Sequence, residues 1–149
     1  MYPCREYGFR VRDGWKLTEP QLTRLDYEAS DGKEIFLSFE DSQETIYALL
    51  RLRLQDKPIA NLGGPIGNNS ALVRELHVFG PELALSQRDS TAAQHRGLGK
   101  ALLREAERIA HDEFQCGHLA ILSGVGAREY YRGEGYNLRG AYMVKQLGV

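Results

Sequence analysis

Gln94, Gly97 and Gly99 stand in a Gln-x-x-Gly-x-Gly arrangement directly before a long helical repeat, with Leu98 and Lys100 interleaved. Glycines allow a sharp turn and a close approach of backbone to ligand. The free N–H groups of the helix start, aligned with its dipole, favour an anion there. The arrangement suits a pyrophosphate; a glycine-rich helix entry without ligand is the competing reading. The run is not a Walker A loop, because no Gly-Lys-Ser/Thr ending is present. It is not a dinucleotide fingerprint either, because no strand runs straight into it.

Two further groups could do chemistry. Glu75 and His77 alternate on a strand-like run with Leu76 and Val78, so their side chains share a face and could act as a base or as substrate contacts. A half-exposed strand with solvated polar side chains accounts for them equally well. Tyr130 and Tyr131 follow a glycine-containing turn, and a phenol can donate a proton to a leaving group; aromatic pairs on short helices also pack into cores. A third pattern is basic and aromatic. Arg5, Arg10, Arg12 and Lys16 are interleaved with Tyr7, Phe9 and Trp15, and Arg51 and Arg53 form a second pair. RNA recognition uses such mixtures, cations on phosphates and aromatics under bases, although a charged strand face is usually only solvated.

These residues need elements to hold them. Tyr7 to Val11 alternates as a short strand, and Thr18 to Leu25 reads as a short helix capped by Thr18. Lys33 to Glu40 and Thr45 to Leu54 read as a hairpin, followed by a loop over Asn61 to Ser70 and a strand over Ala71 to Phe79. On that strand Leu72, Arg74, Leu76 and Val78 are expected to share one face. A second loop spans Gly80 to Ala93. The strongest helix runs from Gly97 to Phe114, with Gly117 as its C-cap. A buried strand at His118 to Ser123, a short helix at Ala127 to Gly133 and a final strand at Tyr142 to Leu147 complete the chain. This order predicts an α/β domain, a mixed sheet flanked by helices.

Composition bounds the function. The 149 residues, 42% hydrophobic and 26% charged, fit one globular domain. No apolar run is long enough to span a membrane, and no secretory signal opens the chain, so a cytoplasmic location is expected. The formal net charge of −1 offers no bulk attraction for nucleic acid, so any such contact needs a local patch. Cys4 and Cys116 can form neither a disulfide framework nor a metal site by themselves.

The glycine motif and its flanks resemble the acetyl-CoA loop of the GNAT acetyltransferases. Four blocks narrow the resemblance to the family of the Elongator catalytic subunit: RELHVFG from Arg74, QHRGLGKALLREAERIA from Gln94, SGVGAREYYRGEGY from Ser123 and AYMVK from Ala141. The resemblance implies a GNAT fold with a mostly antiparallel sheet and a central splay. It implies acetyl-CoA as cofactor, with the pyrophosphate at Gln94 and Gly97 to Lys100. The pantetheine would run beside Glu75, Leu76, His77 and Val78, and Tyr131 would lie at the thioester. It makes Tyr131, Glu75 and His77 the catalytic candidates. The implied activity is modification of carbon 5 of the tRNA wobble uridine, with Arg10, Arg12, Arg51 and Arg53 as the RNA contacts in the anticodon region. A protein lysine N-acetyltransferase and a non-catalytic acetyl-CoA-binding module are the rival functions.

Family members also carry a radical S-adenosylmethionine domain with an iron–sulfur cluster. The resemblance therefore makes residues 1–17 a junction to that domain and 18–149 the GNAT domain. Cys4 resembles a junction cysteine that helps to bind zinc. Other Elongator subunits or a second copy of the chain are the implied protein partners. Gly133-Glu134 departs from a commoner Lys-Leu pair in the family, and Arg96 from a frequent Gln.

Overall fold

The computed structural model describes residues 5–30, 32–55, 57–59, 62, 69–79 and 97–148. Cys4, Gln94 and Arg96, and most of the two predicted loops, lie outside the described residues.

A seven-stranded sheet runs in the order β1-β2-β3-β4-β5-β7-β6. Its strands are β1 (Gln21–Ala29), β2 (Gly32–Glu40), β3 (Ile46–Gln55), β4 (Ser70–Val78), β5 (His118–Leu122), β6 (Asn137–Arg139) and β7 (Tyr142–Gln146). Neighbours are antiparallel except β4 and β5, which are parallel. The helices are α1 (Tyr7–Arg12), α2 (Leu98–Arg108) and α3 (Arg128–Gly133). A π-helical turn (Ile109–Glu113) continues α2, and a 3-10 turn (Val125–Ala127) precedes α3.

The main core lies between one sheet face and α2. Alternate residues Ile35 and Leu37 of β2 and Leu50 and Leu52 of β3 meet Leu102, Leu103, Ala106 and Ile109, all buried. The period-2 and period-3.6 patterns of these segments therefore interlock on one face. A smaller cluster on the opposite face joins Ile59, Leu62, Ala120 and Val144. The opposite face of β1 to β4 is richer in polar groups.

Several sequence expectations are corrected. Tyr7 to Val11 is helix α1, not a strand. Helical spacing turns Tyr7 and Arg10 toward the sheet, where Tyr7 packs at a tilt against Tyr47, ring centroids 5.1 Å apart, and leaves Phe9 and Val11 exposed. The segment predicted as a helix from Thr18 contains the start of β1. This edge strand is exposed along nearly its whole length, so its pattern carries no burial signal and the β2 ladder decides its conformation. The long helix is terminated by Gln115 in the left-handed region (φ 55), not by Gly117. Gly117 instead packs close to Asn69, and its N–H donates to the Asn69 carbonyl. Strand β6 has no counterpart in the sequence reading.

The most consequential difference is in β4. Its register with β3 passes from Leu52–Val73 to Arg51–Glu75, so Arg74 is an extra residue, a β-bulge. The predicted single face therefore breaks in two. Val73 belongs to the main core before the bulge, and Leu76 and Val78 pack against it after the bulge. Leu72 joins the smaller cluster instead.

Candidate functional site

Strands β4 and β5 pair only from Ser70–His118 to Val73–Ile121. Beyond that point β4 continues along β3 to Val78, while the chain after Leu122 turns away into α3. The divergence opens a cleft of about 240 Å³, bordered by Val73 to Leu76 on one side and by Ile121 to Gly124, Ala127 and Tyr131 on the other.

Among the described residues the cleft has an unpaired backbone edge. The Phe79 N–H donates to the Tyr47 carbonyl at 2.7 Å, and Leu49 faces His77 in the same ladder. Hydrogen-bonded and non-hydrogen-bonded pairs alternate in antiparallel sheets. The N–H and C=O groups of Leu76 and Val78 are therefore directed away from β3, toward the gap that β5 has left.

The start of α2 meets this edge. Gly97 is its N-cap, with φ 79 and no side-chain cap. The first N–H groups of the helix, including those of Leu98, Gly99 and Lys100, have no intrahelical acceptor. A Cβ on Gly99 would lie 3.2 Å from Val78 Cγ2 and 3.2 Å from the Tyr130 hydroxyl oxygen. The fold thus brings the glycine motif, the end of β4 and the tyrosine pair together. The Leu98 side chain is core, so only its backbone is available to a ligand.

Tyr131 is 8% exposed and meets Tyr130 edge-on at 5.2 Å and Tyr136 at 6.0 Å. Burial raises its pKa, so the phenol keeps its proton through the neutral range. Among the described residues its hydroxyl has no hydrogen-bond partner, and the ring borders the cleft.

Glu75 and His77 do not join Tyr131. Their side chains lie on the sheet face opposite α2: Glu75 pairs with Arg51 at 3.3 Å, and His77 stacks on Phe79 at 4.4 Å. Tyr131 and these two side chains are thus on different sides of β4 and form no constellation. Lys100 leans along α2 to Glu134, at 3.4 Å, which Arg104 also holds at 3.1 Å. Glu134 is 8% exposed, and sequence reading noted it only as a departure from the family pattern.

The predicted basic group is dispersed. Arg10 is 4% exposed, stacks on Trp15 at 3.7 Å and donates to the Gln43 carbonyl, which makes it a structural residue. Arg53 donates to the Ser30 carbonyl and pairs with Glu34 at 3.6 Å. Arg12 remains exposed over Phe9, and Arg51 is half exposed beside Glu75. Arg74, absent from the predicted set, borders the cleft. Cys116 is half-buried, and burial pushes its thiol up. Among the described residues no three His, Cys, Asp or Glu side chains gather as metal ligands.

No protein-family model matches the chain. It is 59% identical over 144 residues to a protein of Dehalococcoides mccartyi named tRNA uridine(34) acetyltransferase, covering 97% of this chain and 31% of that protein. The archaeal Methanocaldococcus infernus Elp3 structure is 47% identical and superimposes with a TM-score of 0.81, over 97% of this chain and 34% of that one. An acetyltransferase of GNAT family from Staphylococcus aureus, 11% identical, matches with a TM-score of 0.50 over 77% of this chain and 69% of its own, a likeness of fold alone. The chain spans about a third of the length of the two relatives first named. With its parallel β4–β5 splay inside an otherwise antiparallel sheet, the chain is a GNAT-fold domain homologous to the corresponding third of the tRNA uridine(34) acetyltransferases and Elp3.

Proposed function

We propose that this chain is the acetyl-CoA-binding domain of an acyltransferase that modifies the wobble uridine of tRNA. The observation that carries the reading is the junction of a glycine-started helix with a β4 edge and a buried phenol that have no partner among the described residues. The 59% identity to a protein named for that activity supports the substrate class.

The residues fit acetyl-CoA. The N–H groups at Leu98 to Lys100 would hold the pyrophosphate. The backbone of Leu76 and Val78 would hold the pantetheine arm, as an added strand would. A preorganised N–H on that edge would polarise the thioester carbonyl. The cofactor supplies an activated acetyl group. Tyr131 holds a proton at its Oη for the sulfur. The backbone of Glu75 and His77 belongs to the same strand, while their side chains face the acceptor side.

The iron–sulfur cluster, S-adenosylmethionine and zinc belong in this proposal to the part of the protein outside this chain. A cluster motif needs three cysteines, which this chain does not contain. Residues 1–17 would lead to that part, with Cys4 as a zinc ligand shared with it. The location follows as cytoplasmic, with tRNA as partner. Other protein subunits or a second copy are further partners of the same proposal.

Calorimetry of this chain with acetyl-CoA, and with ATP as control, tests the reading. Saturable one-to-one binding of acetyl-CoA alone is expected. Equal binding of both ligands, or of neither, overturns it.

A further inference from the structure

On the face of β1–β4 away from α2, an ion network runs from the sheet edge to the lip of the cleft. At its centre is Glu34, 5% exposed although it faces outward. Tyr27 donates its hydroxyl to Glu34 at 2.6 Å, Arg74 donates Nη1 at 2.6 Å, and Arg53 lies at 3.6 Å. The Tyr27 hydroxyl and the two guanidiniums hold the Glu34 carboxyl below the usual range despite its burial. Beside this group Arg51 pairs with Glu75. Three guanidiniums therefore face two carboxylates, and one positive charge is left over.

The β-bulge decides where that charge emerges. It gives β4 two consecutive outward residues, Arg74 and Glu75, opposite the single Arg51. Arg74 consequently borders both the β4–β5 cleft and a shallow cavity of about 490 Å³ above Glu34 and Arg53. The Arg53 side chain is 13% exposed and spent on its pair, whereas that of Arg74 is 56% exposed. Glu34 takes Nη1 of Arg74 only, and its Nε and Nη2 meet no acceptor among the described residues. A guanidinium anchored by one nitrogen and open at the others is built to receive a phosphate oxygen pair.

We infer that Arg74 is the acceptor-side phosphate contact of this domain, taking a backbone phosphate of an RNA strand at the mouth of the β4–β5 cleft, and that Glu34 is the positioning residue that aims it. The inference rests on the RNA-modifying reading above and adds to it a residue and its orientation. A lysine-bearing peptide has no use for this arrangement, since the surplus positive charge repels the acceptor amine.

The test titrates this chain with an anticodon stem-loop RNA, by fluorescence anisotropy at several salt concentrations, and separately with acetyl-CoA by calorimetry. Arg74→Gln is expected to weaken RNA binding about three- to tenfold and to lower the slope of log affinity against log salt by about one contact. Acetyl-CoA affinity stays at the parent value. The same change of charge at a remote exposed arginine, Arg139→Gln, leaves RNA affinity within about twofold. Glu34→Gln removes a negative charge beside the arginines yet is expected to weaken RNA binding, because the aim is lost. Tighter binding by Glu34→Gln overturns the positioning role. Parent-like RNA binding by Arg74→Gln, or equal losses in Arg74→Gln and Arg139→Gln, overturns the contact itself. Arg74 is exposed, so its variant stays informative even where Glu34→Gln fails to fold. Acetyl-CoA binding without any RNA binding by the parent overturns the inference and leaves the cofactor half of the functional reading standing. Loss of both ligands by the parent overturns the functional reading as a whole.

Discussion

Tyr131 combines a packed ring with an unused hydroxyl. The ring is held by Tyr130 and Tyr136, while the hydroxyl has no described partner. Removing the oxygen alone therefore leaves the packing intact. Tyr131→Phe is expected to keep the melting temperature within about 2 °C and to weaken acetyl-CoA binding about three- to tenfold, the range of one hydrogen bond; thermal melts and calorimetry check the two halves. The two glycines of the motif differ in what a side chain would meet. At Gly97 a Cβ meets nothing within 4 Å among the described residues, but the positive φ strains any L residue. At Gly99 a Cβ presses on Val78 and the Tyr130 hydroxyl, so loss of binding there would mix steric and packing effects. Gly97→Ala is expected to lower stability by about 1–2 kcal/mol, and Gly97→Asn by less, because Asn tolerates the left-handed region. Chemical denaturation of the two variants makes the comparison.

At the scale of elements, the site depends on how α2 is tied to the α3–β6 corner. The outward face of α2 carries Lys100, Arg104 and Glu107 at helical spacing. Glu107 accepts the Tyr136 hydroxyl at 2.8 Å and Lys145 Nζ at 3.1 Å, and Lys145 also donates to the Glu134 carbonyl. Tyr136 is 1% exposed, and burial and the adjacent Glu107 push its pKa far up. It braces Tyr131 edge-on, and its N–H bonds the Tyr131 carbonyl. Glu107→Ala leaves the buried Tyr136 phenol without its acceptor and takes the carboxylate from Lys145, which keeps only the Glu134 carbonyl. It is expected to cost about 1–3 kcal/mol, with Glu107→Gln recovering a large part, as read by urea denaturation. Lys100 and Arg104 on Glu134 add a second tie between the start of α2 and the turn after α3.

For the molecule as a whole, residues 5–18 behave as part of the domain. Tyr7 packs against Tyr47, Arg10 reaches the Gln43 carbonyl, and the Thr18 N–H donates to Asp41 at 3.2 Å. A chain beginning at residue 18 exposes Tyr47 and is expected to lose on the order of 2 kcal/mol of stability, measurable by calorimetric melting. Asp41 also ties the β2–β3 turn, accepting N–H groups of Gln43 and Thr45 and the Tyr47 hydroxyl. Burial alone would raise its pKa, but these hydrogen bonds outweigh burial and lower it. On the surface, Arg24 of β1 draws Glu113, at the end of the π-helical turn after α2, down to about 2. Both carboxyls titrate lower in the folded chain than in the unfolded one. Each therefore contributes stability that is present above its unfolded-state pKa and is lost as pH falls through the folded-state one, which for Glu113 lies at about 2. Asp41→Asn is expected to flatten the acid limb of a stability–pH curve more than Glu113→Gln, because the Glu113 pair is exposed and screened. Denaturation at pH 7, 4 and 2.5 separates them.

What was legible in the sequence follows from what local patterns encode. The α2 repeat and the β2–β3 hairpin are strong periodic signals, because each buries one face against the main core, and β5 reads as a short apolar run because both of its faces are covered. The glycine motif and the tyrosine pair were readable as chemistry because special backbone freedom and rare residue types stand out locally. Where burial is absent or shared, the sequence was silent. Exposed β1 has no face to mark, and α1 is helical because its contacts with Tyr47 and Gln43 are long-range. The bulge at Arg74 leaves no local trace, since only the register against β3 reveals the extra residue. That one residue sent Glu75 and His77 to the face away from Tyr131 and brought Arg74 to the cleft. Charged side chains were least legible of all. Arg10, Arg53 and Arg74 look alike in the chain, and tertiary partners decided that the first reaches the Gln43 carbonyl, the second is spent on Glu34 and the third stays open to a ligand. Coulombic pairing acts through space between residues tens of positions apart, which no local period records.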